Sequence, residues 1–236
     1  QVGAEIIGGH SSSSETEIII IGLKILKDLN VTKLSIDLNY QKLRMDLLKH
    51  IQYTEKFSSI VKAIEKKDLN YINSIEFKNK ENIINIIESS GSFTNENDFL
   101  SKLNKVNKSN EHILHLVEVA KDINKEFNDL NIIIDPLEKN SFDYHDGLTF
   151  TIFDKILQGG IAKGGTYRTI ENETATGMSL YVDLLDNISN SLFLKKDRVL
   201  IEQNDFKNAD KLIKKGYQVI FNKNLNKIDF DLAKKY

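Results

Sequence analysis

The chain has 236 residues, 40% of them hydrophobic, and a formal net charge of -2, which suits one large domain or a large domain with a smaller companion. It has no cysteine, which excludes disulfides, thiolate catalysis and cysteine metal sites, and the near-neutral charge gives no global field toward nucleic acid or an anionic membrane. The longest apolar run, Ile18 to Ile21, is interrupted by Gly22 and Lys24, far too short to span a bilayer; with no signal peptide visible, a cytoplasmic location is expected.

Gln1 to Ile7 alternates and carries β-branched residues, so it reads as a strand that Gly8-Gly9 ends. Ser14-Glu15-Thr16-Glu17 has the form of a capping box, with a strongly apolar helix expected from there to about Asn30, buried on more than one side. Leu34, Ile36 and Leu38 alternate with Ser35, Asp37 and Asn39, predicting a half-exposed strand. From Lys42 to about Phe127 only helical periodicity is found, broken near Ser89 to Ser92, with helices expected over 43–51, 55–67, 80–88 and 109–127. Asn131 to Asp135 reads as a short strand stopped by Pro136, and Leu148 to Ile152 as another. Gly159-Gly160 and Gly164-Gly165 flank a further strand, and Ser179 to Ile188 reads as a helix.

A hydrophilic joint near Asn190 to Asp197 is the candidate linker, and 198–221 reads β-α-β, with a further helix possible from Asp229. Gln1 falls mid-strand and Tyr236 ends an apparent helix, so a segment cut from a longer protein at both ends is expected. Strands gather at the two ends of the first 190 residues, with helices between. Neither strand set covers its own face, so the two are expected to pair. The expected fold is α+β: a mixed, mostly antiparallel sheet in residues 1–190 with a helical insertion at about 42–127, then a partial α/β segment over 198–236.

Several residues carry chemistry. Gln1 and Glu5, at i and i+4 of a strand, face one way and could converge amide and carboxylate oxygens on an ammonium group. Asp143, Tyr144 and His145 form a polar, aromatic cluster just before a strand. Gly164 and Gly165 allow close backbone approach to a small ligand, and Tyr167 follows them. The glycines fit neither a phosphate-binding loop nor a dinucleotide fingerprint, so no nucleotide cofactor is implied. His112 and His115, beside Glu111 and Glu118, lack the spacing of a known zinc helix and are read as surface or partly packed histidines, not metal ligands. Lys207, Lys211 and Lys214 mark a solvated helix face and not a nucleic-acid patch.

Three of these segments, Gln1-Val2-Gly3-Ala4-Glu5, Asn140 to His145 and Ala162 to Tyr167, together resemble the catalytic core of class II histidyl-tRNA synthetases. The stretch Ala175 to Leu184 resembles that family's motif 3. The resemblance implies a histidine pocket made by Gln1, Glu5, Asp143, Tyr144, His145, Gly164, Gly165 and Tyr167, with Gln1 and Glu5 on the α-amino group. It also implies arginines at two positions held here by Asn140 and Leu184, and Thr166 stands where a further arginine is usual. Adenylation develops charge on phosphoryl oxygens, which preorganised cations stabilise, so the chain is expected to keep the pocket and lack the activating machinery.

Within that superfamily, the tracts FDYHDGLTFTIF, GGIAKGGTY and ATGMSLYVD are similar to the alphaproteobacterial regulatory subunit of ATP phosphoribosyltransferase. This resemblance implies a non-catalytic subunit of histidine biosynthesis that partners the short catalytic subunit, takes L-histidine as a possible effector and forms homodimers through its core. Nucleic acid and membrane are not expected partners. Two other readings stay open: a divergent histidine–tRNA ligase, and a pseudo-synthetase domain serving another partner.

Overall fold

The structure is a computed structural model that describes residues 1–9, 11–31, 33–94, 111–139, 144–155, 159–188, 198–203 and 205–222. The chain divides into two compact units, Gln1–Ile188 and Ser189–Tyr236.

In the larger unit, β1 (Val2–Ile7) leads into α1 (Ser11–Asp28), and β2 (Leu34–Tyr40) follows. The helical stretch then supplies α2 (Gln41–Lys49), α3 (Phe57–Glu65), α4 (Leu69–Asn73) and α5 (Lys80–Ser89). A two-residue strand, β3 (Gly91–Ser92), and α6 (Glu111–Glu126) complete it. After them come β4 (Asn131–Ile134), β5 (His145–Asp154), β6 (Gly160–Arg168), β7 (Thr174–Leu180) and α7 (Val182–Ile188). The strands make one seven-stranded sheet in the order β1-β7-β6-β5-β2-β4-β3. Its pairs are antiparallel except β2 with β4, so the sheet is mixed and mostly antiparallel. The first and last strands of the unit are neighbours, with Glu5 opposite Gly177. This is the long-range pairing that the separated strand sets required.

Strand alternation gives the sheet two different faces. Ile36, Leu38, Phe150, Ile152, Ala162 and Met178 are buried on one. Ile18, Ile19, Leu23 and Leu26 of α1 and Leu116, Val119, Ala120 and Ile123 of α6 cover them in the same apolar cluster. Helix α1 lies against β6 and β7, and α6 against β2 and β4. At Gly22 a Cβ would sit 2.6 Å from the Met178 sulfur, so glycine lets α1 settle onto β7. The helix ends where Asn30 turns left-handed (φ 58°), with Asn30 N–H bonded to Lys27 and Val31 N–H to Leu26, a Schellman stop.

The helix start differs from the capping-box expectation. Helix α1 begins at Ser11, so Ser14 lies inside its first turns and is buried rather than capping. Four serines in a row offer several possible caps, and burial of Ser14 and Glu15 against the sheet overrides the local signal. The helix expected over Ser179 to Ile188 also starts later: Ser179 and Leu180 end β7 (Thr174–Leu180), and the helix begins at Val182. Thr174, Thr176 and Met178 fit a pleat, and the partner strands β1 and β6 outweigh the helical spacing of Leu180, Leu184 and Leu185. Gly164 and Gly165 lie within β6 and do not bound it.

In the smaller unit, β8 (Arg198–Glu202) and β9 (Gln218–Asn222) are parallel, joined through α8 (Phe206–Lys214). Asp205 caps α8 by accepting from the Asn208 N–H at 3.3 Å. Val199, Ile201, Ala209 and Leu212 are its core, while Lys207, Lys211 and Lys214 are exposed as expected. The expected linker at 190–197 and the helix from Asp229 lie outside the described residues.

At Gly164 a Cβ would stand 2.3 Å from the Gly177 carbonyl oxygen and 2.5 Å from the Phe150 ring, both fixed by the sheet. Gly164→Ala is therefore expected to lower stability by about 1–3 kcal/mol through overpacking. Urea unfolding of the two forms measures the difference.

Candidate ligand-binding site

The face of the sheet away from α1 is open where β1, β7 and β6 meet. Register places Glu5 opposite Gly177, and Gly177 opposite Gly165, so a carboxylate stands beside two residues without side chains. Lys163, two residues before Gly165, lies opposite Ser179. A cavity of about 510 Å³ opens there, lined by Gly3, Ala4, Glu5, Tyr144, His145, Lys163, Gly164, Tyr167, Gly177, Met178 and Ser179. That volume is within the usual range of small-molecule sites.

One wall is aromatic. The Tyr144 ring stacks obliquely on His145 at 4.3 Å between centroids and meets Tyr167 edge-on at 5.4 Å. The Tyr167 hydroxyl donates to the Glu5 carboxylate. That bond, then partial burial and the Glu5 charge, push the Tyr167 pKa up to about 12, so the phenol stays protonated and keeps donating at neutral pH. Glu5 Oε1 lies over Gly177, 3.2 Å from where a Cβ would be. The site thus presents an acceptor carboxylate beside a small aromatic box, chemistry suited to a compact cationic or N–H-rich group.

The structure brings together Glu5, Tyr144, His145, Gly164 and Tyr167 from the expected set. Gly165 is not part of the lining: a Cβ there would meet Thr149 at 2.7 Å and the Leu148 carbonyl oxygen at 2.8 Å, so this glycine serves the approach of β5 to β6. Gln1 precedes β1, is exposed and lies outside the lining. Asp143 and Asn140 lie outside the described residues. Lys163, Gly177 and Ser179 are lining residues that the sequence reading did not single out. The small-residue alternation Ala175, Gly177, Ser179 was their signal, masked by reading Ser179 as the start of a helix. Leu184 is half-buried against the main apolar cluster. Arg168 is exposed and reaches Asp146 at 3.4 Å and the Asn172 carbonyl at 3.4 Å, so it braces the β6–β7 turn.

Thr166 points the other way. Its hydroxyl donates to Glu15, a carboxylate only 1% exposed under the sheet, and lies 2.9 Å from the Thr176 hydroxyl. Glu15 also pairs with His115 of α6. Tyr40 stacks on His112 at 4.5 Å and meets His115 edge-on. Burial, then the charges of Glu15, Asp146 and Glu111, hold the Tyr40 pKa up at about 12. So His112 and His115 are packed against the sheet, and no group of three or more potential metal ligands occurs among the described residues. Thr166 therefore lies behind the pocket floor and not in the cavity.

Burial opposes charge on His115, but the hydrogen bond and charge of Glu15, with Glu118, outweigh it and raise its pKa. A raised folded pKa gives stability fully present below the unfolded value of about 6.5 and lost as pH climbs through the folded value. His112, whose pKa burial lowers, contributes with the opposite sign. The stability difference between wild type and His115→Ala is therefore expected to be about 3–5 kcal/mol at pH 6, where Glu15 would be left buried without its cation, and to shrink at alkaline pH. Thermal melts of both forms from pH 6 to 9 measure it.

The family model described as histidyl-tRNA synthetase matches residues 1–185. The ATP phosphoribosyltransferase regulatory subunit of Rhodospirillum centenum is 28% identical over 185 residues, covering 78% of this chain and 48% of that protein. The same subunit of Gluconobacter oxydans is 24% identical over 180 residues, covering 76% and 47%. The chain spans about half the length of these curated relatives. Among solved structures, an ATP phosphoribosyltransferase regulatory subunit/histidyl-tRNA synthetase from Bacillus halodurans C superimposes with a TM-score of 0.68 at 15% identity, over 99% of this chain and 65% of that one. The ATP phosphoribosyl transferase (HisG:HisZ) complex from Thermotoga maritima gives 0.61 at 19% identity, over 76% and 65%. At such identities the superpositions carry the fold alone, and that fold is the class II synthetase-like α+β core.

Proposed function

The chain belongs to the histidyl-tRNA synthetase family, and from that premise we propose that it is the synthetase-like core of a non-catalytic regulatory subunit of ATP phosphoribosyltransferase. In this reading it activates the short catalytic subunit in the first step of L-histidine biosynthesis and carries L-histidine as the feedback effector. A cytoplasmic location and a homodimer formed through the core are parts of the same proposal. The names of the relatives support it, as does the cavity.

One observation carries the reading: the cavity keeps a carboxylate and an aromatic wall of amino-acid size, and no arginine lines it among the described residues. Amino-acid adenylation needs cations where phosphoryl charge develops, and loss of one preorganised stabilising group of this kind typically costs about 2.7–4 kcal/mol of transition-state stabilisation. By the resemblance, Leu184 stands where one such arginine is expected; it packs on the apolar cluster and, being apolar, can stabilise no anion. Asn140, at the place of the other, is neutral. Binding of histidine needs none of this machinery. Regulation then requires that histidine favour the inhibited assembly over the active one, since a ligand of equal affinity for both shifts nothing.

The test is reconstitution of the full-length protein with the short catalytic subunit. Phosphoribosyl transfer to ATP is expected to rise on adding the protein and to fall on adding L-histidine, with no histidine-dependent ATP–pyrophosphate exchange by the protein alone. Exchange activity would move the assignment to a histidine–tRNA ligase. Transfer indifferent to both the protein and histidine would remove the regulatory reading.

A further inference from the structure

Three places outside the expected pocket set invite function. The acidic trio Asp37, Asp135 and Glu138 is accounted for in part by the Lys67–Asp135 ion pair, and nothing there points to a ligand. The Glu15–His115 pair is internal and already explains the pinning of β6. Lys163 is different, because it stands in the cavity.

Lys163 is half-buried on β6, two residues from Gly165, on the same face as Tyr167 and Glu5. Among the described lining residues it is the one with a permanent positive charge. Glu5 and Lys163 are two strands and two residues apart, which strand geometry converts to roughly 12 Å between Cα atoms. On that face the strand between them, β7, presents Gly177 and Ser179, so only small residues separate the two side chains. The Lys163 stem runs along β6 toward Gly160, where a Cβ would lie 3.3 Å from its Cε. The side chain therefore leads away from the aromatic wall. The lining thus holds a carboxylate and a phenol from β1 and β6 together with a lysine elsewhere on β6.

Resting on the histidine reading above, we infer that Lys163 is the group that holds the ligand's carboxylate, making the cavity selective for an amino acid over the corresponding amine. A compact, flexible ammonium suits this task, since it can follow a carboxylate without the fixed fork geometry of an arginine. It also suits binding without activation: it neutralises the carboxylate at the cavity floor and leaves the phosphoryl side uncharged. Tyr167 and Glu5 then serve the ammonium or ring N–H groups at the opposite end.

The experiment titrates L-histidine and histamine, which lacks the carboxylate, into the full-length protein and its Lys163→Met and Lys163→Arg variants. Lys163→Met is expected to weaken histidine by about 10-fold or more, the loss of one charge-assisted hydrogen bond, while histamine changes by less than about twofold. Lys163→Arg should restore part of the preference. Equal weakening of both ligands would show a merely structural lysine and overturn the inference. So would an unchanged preference in Lys163→Met, which leaves the histidine reading standing. A wild-type protein that binds neither molecule overturns both, and thermal melts of each variant confirm that all three forms are folded.

Discussion

The cavity depends on how closely β5, β6 and β7 lie together at a few glycines. Phe150 fills the space beneath Gly164, where a Cβ would be only 2.5 Å from its ring, and the Gly177 carbonyl comes nearer still. Strands at ordinary spacing bring backbones to roughly 4.8 Å, and a side chain at these positions would have to displace either the core or the ladder. Gly164 lets the core close against β6, and Gly177, which has no side chain on the open face, leaves that face a shallow floor. Glu5, Tyr167 and Lys163 then rise around it as walls, each set by register on the same face.

The strand that carries most of the site is held from behind. Tyr167 faces the cavity while Thr166, one residue earlier, faces the core, bonded to a buried Glu15 that His115 partners from α6. The helical insertion is thereby tied to the cavity floor through a single carboxylate. A buried ion pair is a weak source of net stability, since desolvation offsets much of its attraction. Its value here is positional: a side-chain hydroxyl on β6 has one partner geometry, and a slip of one residue would turn Tyr167 into the core.

Much of the architecture was legible in sequence because alternation is a direct consequence of the pleat. Leu34, Ile36 and Leu38 and then Leu148, Phe150 and Ile152 announced β2 and β5 without ambiguity, and Gly8-Gly9 ended β1 where expected. The resemblance to histidyl-tRNA synthetases grouped Glu5, Tyr144, His145, Gly164 and Tyr167, and these five line one cavity. What failed to show was tertiary. The small residues of β7 have weak strand preference by themselves and gain it only between β1 and β6. Ser14 carried a cap signal that burial overrode. Lys163 looked like one lysine among many, because its face is defined only by pairing with Ser179. Glu15 and His115 lie 100 positions apart, a distance that no local pattern bridges.

The most direct measurement is calorimetric titration of L-histidine into the full-length protein, with Glu5→Gln as its control. That variant keeps an acceptor for Tyr167 but removes the charge that an amino acid's cationic groups would meet. Saturable binding to the wild type, weakened about 10-fold or more in Glu5→Gln, is the result required of a histidine sensor built on this cavity. No binding to the wild type, or binding indifferent to Glu5→Gln, would contradict it.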